Sequence, residues 1–400
     1  MIKKDGTRVL FAHDHVFRRD ADGRIYSTGG LPSVSWNRYL KHFDQVTVFA
    51  RCSGDYISAE EKEALVVSSC ESVRFEFAES VANLKAFVRG GGEASVRVAQ
   101  LVSSHDAVIA RLGSEFGLLA VREAKKQDKP YAIELVECPW DSYWNYGGLV
   151  PKLYAPVMYT RVRHAVQQCN HVLYVTEKFL QKRYPTRADN TASCSNVDVK
   201  KVSHDILLSR VSKIEEFKCD DKIVFSQIGS LSGRFKGIQV VIQALVIVKN
   251  ILPNIQYRVL GGGDASVWRM EARKHGVDNL CFFDGTLPSG EQVYKWLDQS
   301  DIYVHPSLKE GLPRAVIEAM SRGLPVLGSR VAGIPELVPS DMLVRPGDAQ
   351  TLAKKMIDLA RNKKKMKVEA INNFERAKDF SSEKLEIKRL AFWQDFCQSV

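Results

Sequence analysis

Long apolar runs are missing from this 400-residue chain. No segment approaches the roughly eighteen uninterrupted apolar residues of a membrane-spanning helix. The opening Met1-Ile2-Lys3-Lys4-Asp5-Gly6 lacks the apolar core of a secretory signal. The cysteines Cys52, Cys70, Cys138, Cys169, Cys194, Cys219, Cys281 and Cys397 are scattered, with no Cys-x-x-Cys pair. That argues against a zinc site or a disulfide framework and for a reducing cytoplasm. Zinc-finger spacing and an RNP-like aromatic motif are absent and the basic residues are dispersed, so nucleic acid is not an expected partner. Leu260-Gly261-Gly262-Gly263-Asp264 does not fit the Gly-x-Gly-x-x-Gly of dinucleotide-dependent dehydrogenases.

What is present is a globular composition with a basic excess. Hydrophobic content of 45% and charged content of 26% suit a folded soluble-type chain, and its length exceeds one comfortable core, so two domains are expected. With nucleic acid set aside, a net charge of +10 leaves anionic lipid or polyphosphorylated substrates as partners. The densest basic run, Lys363-Lys364-Lys365-Met366-Lys367, reads as a solvated face.

Apolar strand-like runs alternate with helical spacing, which predicts parallel-sheet α/β architecture. The expected strands are 8–13, 45–50, 72–78, 107–112, 131–135 and 171–176, then 222–229, 256–260, 280–284, 301–305, 325–329 and 342–345. Expected helices are 32–43, 94–104, 115–127, 238–251, 290–299, 314–322, 349–360 and an amphipathic 383–396 carrying Leu385, Leu390, Phe392 and Phe396. The polar region 196–221 reads as a linker.

The most informative stretch is Glu310-Gly311-Leu312-Pro313-Arg314-Ala315-Val316-Ile317-Glu318, preceded by His305-Pro306-Ser307 and followed by Ala319-Met320-Ser321-Arg322-Gly323-Leu324-Pro325-Val326 and Gly333-Ile334-Pro335-Glu336. Strand, turn, helix start, helix and strand follow in order. A helix start offers backbone N–H groups to phosphate, and carboxylates accept bidentately from sugar and ribose diols. The stretch resembles the paired-glutamate signature of the retaining glycosyltransferases of the GT-B type, the group 1 or family 4 kind found in bacterial cell-surface polysaccharide synthesis. That resemblance implies two Rossmann-like α/β/α domains with a cleft between them: an acceptor domain at 1–198, a nucleotide-sugar domain at 199–375, and a C-terminal helix, 376–400, crossing back.

Gly229-Ser230-Leu231-Ser232-Gly233-Arg234-Phe235-Lys236-Gly237 leaves a strand for a helix. It resembles the family's Gly-Arg-Leu-x-x-x-Lys-Gly diphosphate loop, with Ser230 in place of the usual arginine and one extra residue before the lysine. The resemblance assigns Lys236 directly and Arg234 as the substitute cation; a basic strand-to-helix turn is the other reading. Gly262 and Gly263 would border the nucleotide, and Gly29 and Gly30 would face the phosphates from the first domain. Arg111 occupies the position where relatives carry a strand-end histidine; it suits an anionic group or a pairing with Glu115 or Glu134. His105 reads as a surface residue. Asp20-Ala21-Asp22 spells a metal-binding Asp-x-Asp but reads better as a turn. The segment from Glu137 to Tyr146, followed by Lys152, Tyr154, Arg161 and Arg163, packs aromatics beside cations and suits either a core-lining helix, sugar stacking or a membrane interface.

By the resemblance, the chain moves a hexose-type sugar from a nucleotide-diphosphate sugar to a saccharide or lipid-linked acceptor, retaining configuration and without metal or other cofactor. Glu310, Lys236 and Arg234 would be catalytic, with Glu318, Gly311, Leu312, Gly229 and Ser230 holding the donor. The expected location is cytoplasmic, peripheral at the inner face of the membrane. A nucleotide-sugar epimerase and a non-catalytic nucleotide-sugar or membrane-binding scaffold are the alternatives.

Overall fold

A computed structural model of the chain describes residues 6–28, 30–62, 65–78, 92–145, 148–200, 202–218 and 221–400. Two sheets organise it. In the first, β1 (Arg8–Arg19), β3 (Gln45–Tyr56), β5 (Val73–Phe77), β6 (Ala107–Leu112), β7 (Tyr131–Leu135), β8 (His171–Tyr174) and β9 (Asn190–Ser193) run parallel in the order β5-β3-β1-β6-β7-β8-β9. The short β2 (Ile25–Ser27) and β4 (Val66–Val67) add antiparallel pairings to the far end of β1. The second sheet holds β10 (Ile223–Ile228), β11 (Ile255–Leu260), β12 (Cys281–Phe283), β13 (Ile302–His305), β14 (Val326–Ser329) and β15 (Leu343–Val344), all parallel in the order β12-β11-β10-β13-β14-β15.

Both sheets start in the middle, wind outward one way and then the other. The reversal lies between β1 and β6 in the first and between β10 and β13 in the second. At such a reversal the connections leave on opposite faces and open a crevice beyond the strand ends, where α/β proteins bind ligands. The central strands are buried on both faces, β6 and β13 at every residue, which is why they read as unbroken apolar runs.

Several expectations shift. β1 does not stop at His13: after a bulge between Ala12 and Val16, pairing with β3 resumes at Val16↔Arg51. The expected helix 32–43 is a 3-10 turn at Ser33–Trp36 and one α-turn at Asn37–Leu40. Its path follows burial of Trp36 and Tyr39, with the Trp36 indole donating to the Ser68 carbonyl at 2.8 Å. The presumed linker contains a helix, His204–Glu216, that packs on the second unit. Its buried stripe is Leu207, Arg210 and Ile214, and Arg210 donates to the carbonyl of Ser300 at 2.5 Å. A polar residue in the stripe hid the helical period. His105 is buried, bonded to the Leu101 carbonyl and Thr47 Oγ1.

The last helix, Ser382–Gln398, lies on the first sheet's unit. Trp393 meets Tyr39 edge-on, and Phe396 packs on Phe43 and His171. Leu385, Phe392 and Phe396 are buried as expected, and Trp393 and Arg389 join them, while Leu390 is half-buried.

Candidate active site

The second sheet's reversal brings two loops together. Gly229–Gly237 leaves β10, and Pro306–Pro313 leaves β13 ahead of the helix Arg314–Ser321. They touch at Gly237, whose φ is +76° and where a Cβ would lie 2.0 Å from the Pro306 carbonyl oxygen. Glycine is required there for both reasons. Lys236 is aimed by its neighbours: its carbonyl accepts from Gln227 Nε2 at 2.6 Å, and its stem lies against Gly229.

The Lys236 ammonium donates to Glu310 Oε1 at 2.6 Å. The same oxygen accepts from Ser307 Oγ at 2.7 Å and lies 2.8 Å from His305 Nε2. Burial alone would raise the Glu310 pKa, but Lys236 and His305 more than reverse that and hold it well below the usual carboxylate range. An ionised carboxylate accepts only, so His305 Nε2 carries the proton. Nδ1 is then free to accept from Tyr303, whose hydroxyl is 3.4 Å away and itself accepts from the Ile228 N–H. The result is an anion locked among three donors at the mouth of the crevice.

Glu318 differs. It sits in the second turn of the helix, where burial pushes its pKa up, Arg314 opposes, and Asp198 adds to the rise. Glu310 precedes the helix, so the two carboxylates do not share a helix face. Between them, Leu312 is buried, and Gly311 presses on the first unit: a Cβ there would lie 2.2 Å from the Val136 carbonyl oxygen. The Gly311 carbonyl accepts from the Gly333 N–H at 3.0 Å. Beyond it Glu336 reaches across, accepting from the N–H groups of Glu177, Lys178 and Phe179 at 2.6, 3.0 and 2.6 Å.

Gly229 and Ser230 line the loop's start, and the Leu231 N–H donates to the Gly262 carbonyl at 2.8 Å. This sets Gly262 and Gly263 beside the Gly229–Gly237 loop. Arg234 is outside the Glu310 contact set: its guanidinium lies over the Trp268 ring and 3.5 Å from Glu271.

In the first unit, Gly29 lies outside the described residues. Gly30 packs against the His15 ring. Arg111 is turned inward rather than offered to the cleft. Its Nε and Nη2 donate to Glu134 Oε2 at 2.9 and 2.7 Å, and Tyr39 donates to Glu134 Oε1 at 2.7 Å. Of the pairings read from the sequence, the one with Glu134 is present. Asp20 forms a turn, accepting from the N–H groups of Asp22 and Arg24 and pairing with Lys62. Among the described residues no group of three or more His, Cys, Asp or Glu is arranged to hold a metal, and seven cysteines are free thiols.

Sequence reasoning missed His305 and Ser307 as members of the Glu310 cluster, although both flank the motif. It also missed His13-Asp14-His15 at the β1–β6 reversal. Asp14 accepts from the N–H groups of Glu115 and Phe116 at 2.8 and 2.9 Å, capping that helix, and burial raises its pKa. Burial, then Arg111 and Arg51, brings His15 down to about 4. A polar triplet interrupting an apolar strand was the available signal.

Residues 222–362 match the family described as Glycosyl transferases group 1. Over 386 residues the chain is 27% identical to Protein CapJ of Staphylococcus aureus, covering 96% of this chain and 94% of CapJ. The amylovoran biosynthesis glycosyltransferase AmsK of Erwinia amylovora is 36% identical over 135 residues, 31% of this chain and 33% of AmsK. Anabaena HepE, solved in complex with UDP and glucose, is similar in fold with a TM-score of 0.64 at 16% identity, covering 98% of this chain and 99% of HepE. The strand order, the cleft between two units and the returning helix are those of the GT-B fold. The likeness to the group 1 glycosyl transferases is carried by residues 222–362, the second sheet and its two loops.

Proposed function

We propose that the chain is a retaining, metal-independent glycosyltransferase. It takes a hexose-type sugar from a nucleotide-diphosphate sugar to a saccharide or lipid-linked saccharide in surface polysaccharide or glycolipid assembly. The observation that carries the reading is the Lys236–Glu310–His305 cluster at the second sheet's reversal, next to the start of the helix Arg314–Ser321, and a helix start at such a reversal suits a phosphate-bearing ligand. AmsK, named for amylovoran biosynthesis, and HepE, solved with UDP, support the substrate class.

In this reading Glu310 binds donor hydroxyls and stabilises positive charge developing at the anomeric carbon. The N–H groups of Gly311 and Leu312 orient the sugar, whereas Pro313 has none to give. Glu318 holds the ribose. Lys236 stabilises the diphosphate as the anomeric C–O bond breaks and its electron pair passes to the phosphate oxygen. Arg234 joins it by swinging from Trp268. The acceptor oxygen then bonds to the anomeric carbon from the face that the phosphate leaves, and the phosphate takes the acceptor's proton.

Calorimetric titration of UDP-, GDP-, ADP-, dTDP- and CMP-sugars, with EDTA present, on wild type and Glu318→Ala tests this. One nucleotide class should bind, undiminished by EDTA and about tenfold weaker in the variant, in line with loss of a charge-assisted hydrogen bond. Absence of binding, or binding indifferent to Glu318, would sink the site assignment. Binding without turnover would favour the scaffold, and donor consumption without acceptor the epimerase.

A further inference from the structure

The helix Leu149–Gln167 is apolar on two faces. Ala155, Met158, Val162, Ala165 and Val166 are buried against the first sheet's unit. On the other side of its first turns, Leu149 is 79% exposed, Leu153 77% and Val150 69%, with Val157 also in solvent. Spacing of four residues from 149 to 153 to 157 places these side chains in one stripe. The preceding helix, Pro139–Trp144, adds the exposed Trp144, and the Lys152 ammonium lies 5.9 Å from the centre of its ring. Scattered exposed leucines need no explanation, but a contiguous stripe of this kind marks a surface that meets something apolar.

Charge says what that is. Between Asp141 and Glu177 the sequence has no acidic residue, while Lys152, Arg161 and Arg163 fall inside the interval. Beside the helix, a groove of about 450 Å³ is lined by Trp140, Tyr159, Phe179, Lys182 and Arg183, aromatic rings topped by cations. On this face Asp141 is paired with Arg183 at 3.4 Å, which leaves Lys152 and Lys182 in excess, so a second copy of the chain would bring cation against cation, since a twofold contact pairs a patch with its own like. A bilayer surface with anionic headgroups satisfies both halves. Leucines and valines enter the acyl boundary, the Trp144 ring sits at headgroup level, and Lys152 extends its stem to reach phosphate.

We infer that Trp144 and the first turns of Leu149–Gln167, rimmed by Lys152 and Lys182, form a docking surface for an anionic lipid bilayer. No helix among the described residues is long and apolar enough to cross a membrane, and this surface lies on it instead. The helix is also tied to the crevice. Arg161 donates two bonds to the Glu115 carboxylate at 2.8 and 2.9 Å, and Tyr154 a third at 2.6 Å. Glu115 opens the helix that Asp14 caps at the β1–β6 reversal.

The test uses the full chain and sedimentation with vesicles of phosphatidylcholine alone or mixed with phosphatidylglycerol. Wild type should bind the mixed vesicles at low salt, bind the neutral ones weakly, and lose affinity at 1 M salt, where screening shortens the electrostatic range to about 3 Å. The double variant L149E/L153E should fall at least about tenfold and K152Q about fivefold, the value of one surface cation near anionic lipid. L208E, at an exposed leucine on another helix, should bind as wild type does. Thermal melting and nucleotide-sugar titration of each variant should be unchanged, which separates this inference from the donor-site reading. Wild type that ignores mixed vesicles, or L149E/L153E that binds like wild type, would overturn it. So would a lipid-free wild-type dimer that L149E/L153E converts to monomer, which would make the stripe a self-association face.

Discussion

The two sheets reverse direction in the same way, yet the chemistry at their reversals is opposite. At the β10–β13 reversal an ionised Glu310 gathers Lys236, His305 and Ser307 around a carboxylate at the mouth of the crevice. At the β1–β6 reversal the charged groups satisfy one another inward: Arg111 with Glu134 and Tyr39, and Asp14 with a helix start. Burial and the nearby arginines leave His13 and His15 neutral. One site keeps its charged groups together at a crevice, whereas the other is a closed structural knot beside neutral hydrogen-bonding groups.

Breaking the inner knot should have the largest effect. Arg111→Met leaves the Glu134 carboxylate buried without its main partner, and removing one member of a buried pair costs about 3–5 kcal/mol. Urea unfolding should show that loss while any nucleotide titration of the folded protein stays near wild type. A weakened nucleotide affinity with unchanged stability would place Arg111 in the cleft after all.

Glu310→Gln attacks the open site. Turnover should drop about 10²–10³-fold, the usual scale for removing one electrostatic stabiliser, measured with whichever donor binds. Because the folded pKa of Glu310 is depressed, its ionisation stabilises the wild-type fold above the ordinary carboxylate value of about 4.3, and that contribution disappears as pH falls below it. Melting curves between pH 6 and pH 3 should therefore be less pH-dependent in the variant. Next in size, Gly311→Ala forces a Cβ onto the Val136 carbonyl. Overpacking of this kind costs about 1–3 kcal/mol, and because the contact joins two units, activity should suffer more than either unit's melting.

The smallest effect concerns Glu318. Its folded pKa is raised, so the wild type loses stability as pH climbs through and above about 4.3. Glu318→Gln should melt slightly higher than wild type at pH 8, with the difference vanishing near pH 4. A variant that melts lower at pH 8 would contradict the raised value.

The same contrast explains what could be read from the sequence. In the β10–β13 site Glu310 and Glu318 were legible because they fall within one turn-helix motif, and Lys236 because its loop has its own motif, whereas His305 and Ser307 were visible only as flanking residues. The inner knot joins Arg111 to Glu134 and Asp14 to Glu115, pairings set by which strands become neighbours, and no short window shows them. Parallel strands were visible as apolar runs because both faces are covered. The helix His204–Glu216 was hidden by Arg210 in its buried stripe, and Leu149–Gln167 by apolar residues on both of its faces, which erase the period.

The returning helix has one more consequence, in the order of synthesis. Tyr39, Phe43 and His171 belong to the unit made first, but the Trp393 and Phe396 rings that cover them arrive only after the second sheet has been translated. A nascent first unit emerging from the ribosome at about 5–20 residues per second therefore waits some tens of seconds with an open apolar seam. That interval, rather than the finished fold, is where a chaperone would find its handle.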